Sequence, residues 1–142
     1  MNSLHHWTLE DKKVLIVDDD NSSRILADVY LRHTWIDKKN ISFARDGLSA
    51  IKMLEKELFD VIIMDIYLPW ISWIETSQMI KDSYNWGSPR LVAYTADMFF
   101  DRKEAMKELF DAIIIKPVAQ WEFTEKILPV LHIKDKLLVQ KN

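Results

Sequence analysis

Short runs of apolar residues, each closed by a polar residue, recur along the chain. In four of them the apolar residues are consecutive, at positions 14–17, 61–64, 91–94 and 113–115. Such runs are too short for helices, and strands apolar on both faces belong in a parallel sheet that helices cover. A fifth run, residues 41–44, alternates apolar and polar positions, which is typical of an edge strand. The pattern therefore predicts five strands.

Segments with helical spacing of apolar residues separate these strands. In two of these segments, apolar residues recur at spacings of three and four positions and so form a stripe along one side of a helix. The first stripe follows the helix-start signal Asn21-Ser22-Ser23. The two stripes consist of Ile25, Leu26, Val29 and Tyr30, and of Ala50, Ile51, Leu54 and Leu58. We predict further helices over residues 73–83, 98–109 and 119–128. Because strands and helices alternate, the fold class is α/β, with a doubly wound five-stranded parallel sheet sandwiched by helices.

Proline marks the predicted end of the last helix. Pro129 should end or kink that helix, because proline lacks the N–H donor and clashes with the preceding turn. No linker-like or repeated segment divides the chain. We therefore expect an N-terminal lead at 1–12, one domain at 13–131 and an appended C-terminal segment at 132–142.

Composition narrows the function classes. The 142 residues include no cysteine, which excludes disulfides and thiolate chemistry, and the net charge of −3 gives no reason to expect direct nucleic-acid binding. No apolar run approaches the roughly 20 residues of a membrane span, so we expect no membrane insertion. The first twelve residues lack the apolar core of a signal peptide. We expect a cytoplasmic location.

Polar side chains close the predicted strands. In an open parallel sheet, ligands bind outside the carboxyl ends of the strands. These ends carry an aspartate run after the first strand and single polar residues after the third, fourth and fifth: Asp18, Asp19 and Asp20, then Asp65, Thr95 and Lys116. The fold should therefore gather them at one edge of the sheet.

The residue types at this edge indicate phosphoryl chemistry with a metal ion. Clustered carboxylates repel one another unless a cation neutralises them, and Mg²⁺ prefers oxygen ligands. A carboxylate can attack phosphorus and form an acyl phosphate, and we expect Asp65 on the central strand to be this nucleophile. Asp18 and Asp19 are then metal ligands, whereas Lys116 and Thr95 stabilise the charge on the transferred group.

The chain resembles the receiver domains of response regulators along nearly its whole length. The resemblance rests on residues at the ends of the predicted strands and at the start of the second helix, namely Val17-Asp18-Asp19-Asp20, Gly47, Met64-Asp65, Pro69, Thr95-Ala96 and Lys116-Pro117. It implies a flavodoxin-like (βα)5 fold with strand order 2-1-3-4-5. It also implies a two-component phosphorelay, in which a histidine kinase or a histidine phosphotransfer protein donates the phosphoryl group and a downstream protein responds.

The resemblance assigns a role to each site residue. Asp65 is the implied phosphoacceptor, and Asp18 and Asp19 are implied to form the acidic Mg²⁺ pocket. The implied metal ligands are then Asp18, Asp19, Asp65 and the backbone carbonyl of Tyr67. Thr95 and Lys116 are implied to sense the phosphoryl group, and the Lys116-Pro117 peptide bond is implied to be cis. Asp20 we interpret as a cap of the first helix.

Three positions depart from the family pattern. Ser72-Trp73 stands where an Asp-Gly pair is usual, Leu109 or Phe110 replaces a glycine, and Ile113 occupies the position of the aromatic switch residue. The nearby apolar residues Trp70, Ile71 and Trp73 have two interpretations. They form a surface for docking or for a homodimer, or they pack beneath the loop against the third helix.

Three hypotheses for function follow. The first is a phosphoacceptor signalling domain, stand-alone or part of a hybrid kinase, whose own chemistry is limited to self-catalysed phosphotransfer and slow autodephosphorylation. The second is a receiver-like scaffold that is not phosphorylated. The third is a haloacid-dehalogenase-like hydrolase, but Met64-Asp65-Ile66-Tyr67 lacks the Asp-x-Asp pair that those enzymes require.

Overall fold

Five strands form one parallel sheet, as the hydrophobic pattern predicts. The structure, a computed structural model, describes residues 11–67, 73–83, 89–100 and 104–141. The strands are β1 (Val14–Val17), β2 (Ile41–Ala44), β3 (Val61–Met64), β4 (Arg90–Thr95) and β5 (Ala112–Ile115). They pair in parallel in the order β2-β1-β3-β4-β5, so the α/β fold class and the implied order are confirmed. The alternating strand β2 lies at an edge, as predicted.

Helices follow the strands along the chain. They are α1 (Asn21–Arg32), α2 (Gly47–Leu54), α3 (Trp73–Ser83), α4 (Glu104–Leu109) and α5 (Gln120–Lys141), with a 3₁₀ turn at Lys38–Asn40. Aspartate caps begin the first two: the carboxylate of Asp20 accepts from the N–H of Ser23, and that of Asp46 accepts from the N–H of Ser49. Each cap satisfies an N–H group that has no partner within the helix. The predicted capping role of Asp20 is therefore confirmed.

Two hydrophobic cores cover the two faces of the sheet. Successive strand residues point to opposite faces, so Ile16 lies in one core and Leu15 in the other. The first core includes Ala27 and Leu31 of α1 and Phe123 and Ile127 of α5. The second core includes Ala50 and Leu54 of α2 and Ile80 of α3. Both faces of the central strands are buried, which explains why their sequences are continuously apolar.

Two predicted helix boundaries differ from the structure. Helix α5 continues through Pro129 to Lys141, so of the two predicted effects of this proline the end of the helix is wrong, whereas a kink stays a prediction. The predicted segment 132–142 begins within the helix. The fourth helix was expected from residue 98, but Met98 and Phe99 lie in a turn and α4 begins at Glu104. The side chain of Asp97 stabilises this turn, because its carboxylate accepts a hydrogen bond from the backbone N–H of Phe99, two residues further on.

Part of the predicted helical stripes faces solvent. Ile25 and Leu26 are 54% and 41% exposed, and the buried residues of α1 are Ala27 and Leu31 instead. Leu58 lies beyond the end of α2 and is 64% exposed. The apolar spacing therefore predicted that these helices exist, but it assigned some of their buried faces incorrectly.

Candidate functional site

Four of the five strands end in polar residues at one edge of the sheet. Asp18 follows β1 directly, and the N–H of Asp65, just after β3, donates to the carbonyl of Val17 at 2.9 Å. The N–H of Lys116, just after β5, donates to the carbonyl of Thr95 at 2.7 Å. The strand pairing thus fixes the backbone of these residues, as expected for the carboxyl ends of parallel strands.

Three carboxylates form an acidic cluster at this edge. One oxygen from each of Asp18, Asp19 and Asp65 lies within 4.8 Å of the others. Asp18 is 1% and Asp65 9% exposed, whereas Asp19 faces solvent. Carboxylates this close repel one another, and a hard divalent cation would relieve the repulsion. The all-oxygen donor set, open to water on the Asp19 side, fits Mg²⁺, which keeps several water ligands.

The ammonium group of Lys116 lies between two of these carboxylates. Its Nζ is 2.9 Å from Oδ2 of Asp18 and 3.8 Å from Oδ2 of Asp65. It also donates to the hydroxyl of Ser23 at 3.1 Å and lies 4.7 Å from the ring centroid of Tyr94. An ion pair in this largely buried position offsets part of the cost of removing the carboxylates from water.

The environment of Asp65 raises the pKa of its carboxyl group. Burial is the main cause, and the negative charges of Asp18 and Asp19 act in the same direction. The Lys116 ammonium and a hydrogen bond from the N–H of Tyr67 oppose the shift without cancelling it. The ionised carboxylate of Asp65 is therefore destabilised relative to one in water, and it gains correspondingly more from bonding to a cation or an electrophile.

Thr95 and Tyr67 contact charged residues of the site through their backbones. Thr95 is fully buried, and its hydroxyl oxygen accepts a hydrogen bond from the N–H of Asp97 at 3.0 Å. Tyr67 is 63% exposed, and its N–H donates to Oδ1 of Asp65 at 3.1 Å. The backbone of Tyr67 thus lies against the acidic cluster, while the role of its carbonyl as a metal ligand remains a prediction.

Two residues of the first turn of α1 complete the site, and the sequence patterns did not predict either of them to be a site residue. The guanidinium of Arg24 donates to the backbone carbonyl of Asp18 at 2.7 Å and to the side chain of Asn21 at 2.9 Å. Ser23 contacts Lys116, as described above. Their position in the sequence could have indicated them, because the first turn of a helix that follows an acidic strand end must lie beside that end.

The departures from the receiver pattern have different structural outcomes. Ile113 is half-buried in β5, where its carbonyl accepts from the ammonium of Lys126 at 3.3 Å. Phe110, one of the two residues that can stand for the expected glycine, is buried and packs edge-on against Phe100, with ring centroids 5.7 Å apart. The Lys116-Pro117 peptide bond is cis, which confirms what the resemblance implied.

The apolar loop after Asp65 is not described. Pro69, Trp70, Ile71 and Ser72 lie outside the described residues, and Trp73 is described only as the first residue of α3. Both interpretations of the tryptophans, as a docking or homodimer surface and as packing beneath the loop, therefore remain predictions.

The chain matches a known family model over most of its length. The model of the response regulator receiver domain matches residues 14–128. The chain therefore belongs to the response regulator receiver domain family, whose members are signalling domains of two-component systems rather than classical enzymes. This membership leaves the haloacid-dehalogenase-like alternative without support.

Curated relatives include both sensor kinases and response regulators. The autoinducer 2 sensor kinase/phosphatase LuxQ of Vibrio parahaemolyticus is 27% identical over 133 residues, covering 93% of this chain and 15% of LuxQ. The response regulator mcs4 of Schizosaccharomyces pombe is 30% identical over 154 residues, covering 88% of this chain and 28% of mcs4. The chain thus spans a small part of the length of these relatives.

Solved structures share the fold. The chemotaxis response regulator CheY4 of Vibrio cholerae has a TM-score of 0.71 and 24% identity, covering 84% of this chain and 98% of CheY4. TrrA of Thermotoga maritima, in complex with Mg²⁺-BeF, has a TM-score of 0.72 and 25% identity, with the same coverage. The receiver domain of the Pseudomonas aeruginosa sensor histidine kinase PA1611, with magnesium in its active-site cleft, has a TM-score of 0.69 and 21% identity, covering 86% of this chain and 95% of that domain.

Within the described residues, none of the helices combines the length and the apolar character that crossing a membrane requires.

Proposed function

We propose that this domain accepts a phosphoryl group on Asp65 from a phosphohistidine of a histidine kinase or of a histidine phosphotransfer protein. The observation that carries the proposal is the convergence of three carboxylates within 4.8 Å with an ammonium that lies 3.8 Å from Asp65. A nucleophilic carboxylate, a metal-binding cluster and a fixed positive charge are the groups that phosphoryl transfer requires.

The transfer exchanges one bond to phosphorus for another. A carboxylate oxygen of Asp65 forms the new P–O bond, while the P–N bond to the donor imidazole breaks and the nitrogen leaves with the bonding electrons. Lys116 holds a positive charge beside the transferring group. The Thr95 hydroxyl, which accepts a hydrogen bond from the N–H of Asp97, donates a hydrogen bond to a phosphoryl oxygen. Both contacts oppose the negative charge that grows on the phosphoryl oxygens.

Mg²⁺ is the cofactor in this proposal. Asp18, Asp19, Asp65 and the backbone carbonyl of Tyr67 would hold the ion. When bound, it neutralises charge on the carboxylates and on the phosphoryl oxygens. The magnesium in the similar structures of TrrA and of the PA1611 receiver domain supports this assignment.

The signalling output is a change in protein contacts. We propose a cytoplasmic receiver that binds a downstream protein effector, makes no direct contact with nucleic acid and does not insert into a membrane. A homodimer is one form this output can take. The chemistry of the domain itself is limited to self-catalysed phosphotransfer and slow autodephosphorylation, and the relatives among sensor kinases and response regulators support kinase partners.

Intact-mass measurement after incubation with Mg²⁺ and acetyl phosphate tests the proposal. We expect the wild-type protein to gain one phosphoryl group and Asp65→Asn to gain none, because the amide cannot form the acyl phosphate. Asp37→Asn, which lies before the amino-terminal end of β2, removes a carboxylate outside the site and should be phosphorylated normally. A wild-type protein that gains no mass would favour the non-phosphorylated scaffold, and phosphorylation of Asp65→Asn would show a different acceptor.

A further inference from the structure

The ammonium of Lys116 is held by three groups other than the phosphoacceptor. The carboxylate of Asp18 and the hydroxyl of Ser23 accept its hydrogen bonds at 2.9 and 3.1 Å. The ring of Tyr94 lies 4.7 Å away and attracts the positive charge electrostatically. Neither the family resemblance nor the proposed chemistry uses the Ser23 hydroxyl or the Tyr94 ring, and of these two groups the hydroxyl is the one that accepts a hydrogen bond from Lys116.

Ser23 is itself fixed in place by the first turn of α1. Its backbone N–H donates to Oδ2 of Asp20 at 2.8 Å. The Ser23 hydroxyl accepts from Lys116 through one of its two lone pairs. The cap of α1 therefore fixes the backbone of the residue that carries this acceptor.

The distance from Lys116 to Asp65 gives this arrangement a consequence. At 3.8 Å from Oδ2 of Asp65, Nζ is too far away for a direct hydrogen bond. The gap leaves room for an oxygen of a phosphoryl group on Asp65 to come within hydrogen-bond distance of the ammonium. Without the contact to Ser23 of α1, the ammonium could keep its ion pair with Asp18 and move toward Asp65, because oppositely charged groups attract in a partly buried site.

We propose that Ser23 is a positioning residue that holds the Lys116 ammonium away from Asp65 and so keeps the nucleophile free and the space for the phosphoryl oxygen open. The inference rests on the proposed function of Asp65. Without the Ser23 hydroxyl, Lys116 pairs directly with Asp65, and this ion pair must break before the carboxylate can attack phosphorus. Preorganisation of this kind acts on the rate of the chemical step.

The rate of Asp65 phosphorylation by acetyl phosphate, followed by intact mass, tests this role. We expect Ser23→Ala to lower the maximal rate roughly fivefold, the scale of one modest hydrogen-bond contribution. The Mg²⁺ concentration at half-maximal rate should stay unchanged. Ser22→Ala removes an exposed hydroxyl from the same helical turn and should react as the wild type does, whereas Ser23→Thr keeps the hydroxyl and should restore most of the rate. Equal rates for Ser23→Ala and Ser22→Ala would overturn the inference while leaving the proposed function intact.

A second measurement decides the position of Lys116 independently of phosphorylation. In crystal structures without metal, we expect Nζ to move to within hydrogen-bond distance of Asp65 in Ser23→Ala and to keep its position in Ser22→Ala. An unchanged distance in Ser23→Ala would refute the positioning role even if that variant reacted slowly. If the wild-type protein gained no phosphoryl group, the proposed function would fail, and the crystallographic comparison would still decide what Ser23 does.

Discussion

The three aspartates of the acidic cluster differ in exposure, and this difference separates their roles. Asp18 is buried and already pairs with Lys116, and Asp65 is largely buried beside the same ammonium. Asp19 is exposed and has no ion pair with a described residue. Its charge is therefore free to neutralise a cation, and it should contribute strongly to metal affinity.

We predict that Asp19→Ala weakens Mg²⁺ binding at least roughly tenfold, because the hard cation loses one of its few carboxylate ligands. Calorimetry on the protein without a phosphodonor measures this affinity. Asp37→Ala is the matched control, since it removes the same charge from the turn before the amino-terminal end of β2 and should bind Mg²⁺ normally. Equal affinities of the Asp19→Ala variant and the wild type would contradict the assignment of the acidic pocket.

The sequence predicted the site residues at strand ends but not the residues that support them. Asp18, Asp65 and Lys116 follow apolar runs directly, and parallel strands bring their carboxyl ends together in any such sheet. Ser23 lies in a helix and meets Lys116 only through tertiary structure, 93 residues away. Hydrophobic periodicity carries no information about a single polar contact of this kind, so the sequence could not predict it.

At the scale of elements, the turn after β4 is linked directly to a site residue. The N–H of Asp97 donates to the hydroxyl of Thr95, and the N–H of Phe100 donates to the carbonyl of Asp97 at 3.1 Å. This turn presents Met98, 64% exposed, and Phe99, 53% exposed, to solvent. A movement of the Thr95 hydroxyl would therefore act on Asp97 directly, and through it on the exposed apolar side chains that follow.

We predict that a phosphoryl mimic increases amide exchange at Asp97. If the Thr95 hydroxyl turns toward the mimic, the N–H of Asp97 loses its acceptor and exchanges faster. Ile113 offers no aromatic ring to move, so this turn is where we expect the response. Hydrogen exchange with and without beryllofluoride and Mg²⁺ measures it, with the amides of β1 as an internal control. Unchanged exchange at residues 95–100 would contradict the prediction that this turn responds to the mimic, and would make the loop after Asp65 the next candidate.

Helix α5 illustrates how burial can outweigh a local signal. A proline inside a helix costs about 3 kcal/mol, which is why the sequence predicted an end or a kink at Pro129. The next two residues, Val130 and Leu131, are 4% and 2% exposed and belong to the first core. Burying two such side chains contributes roughly 3–6 kcal/mol, enough to offset the proline and keep the chain helical.

At the scale of the whole molecule, ionised Asp65 should reduce the stability of the fold. The pKa of Asp65 is raised in the folded state, chiefly by burial, so folding is favoured by protonation of this group. The contribution of protonated Asp65 to stability is complete below the pKa that this group has in the unfolded chain. It is lost as the pH rises through the higher pKa of the folded state. At pH 7 the ionised carboxylate therefore opposes folding.

We predict that Asp65→Asn unfolds at a higher temperature than the wild type at pH 7 in the absence of metal. The difference should shrink as the pH is lowered toward the ordinary aspartate value of 3.8. Thermal unfolding followed by circular dichroism measures both effects, and Asp37→Asn should show no such gain. A variant less stable than the wild type at pH 7 would mean that the attraction to Lys116 outweighs burial.

The contact between Asp18 and Lys116 joins residues 98 positions apart, one just after the first strand and the other just after the last. Contacts of such separation form late, because the chain must first lose the entropy of a long loop. A chain emerging during synthesis can pair β1 with β3 and gather the carboxylates before β5 has joined the sheet. The acidic cluster then exists without its lysine. Lys116 therefore reaches the acidic cluster only when the final strand docks, so any chemistry that needs this ammonium requires the completed sheet.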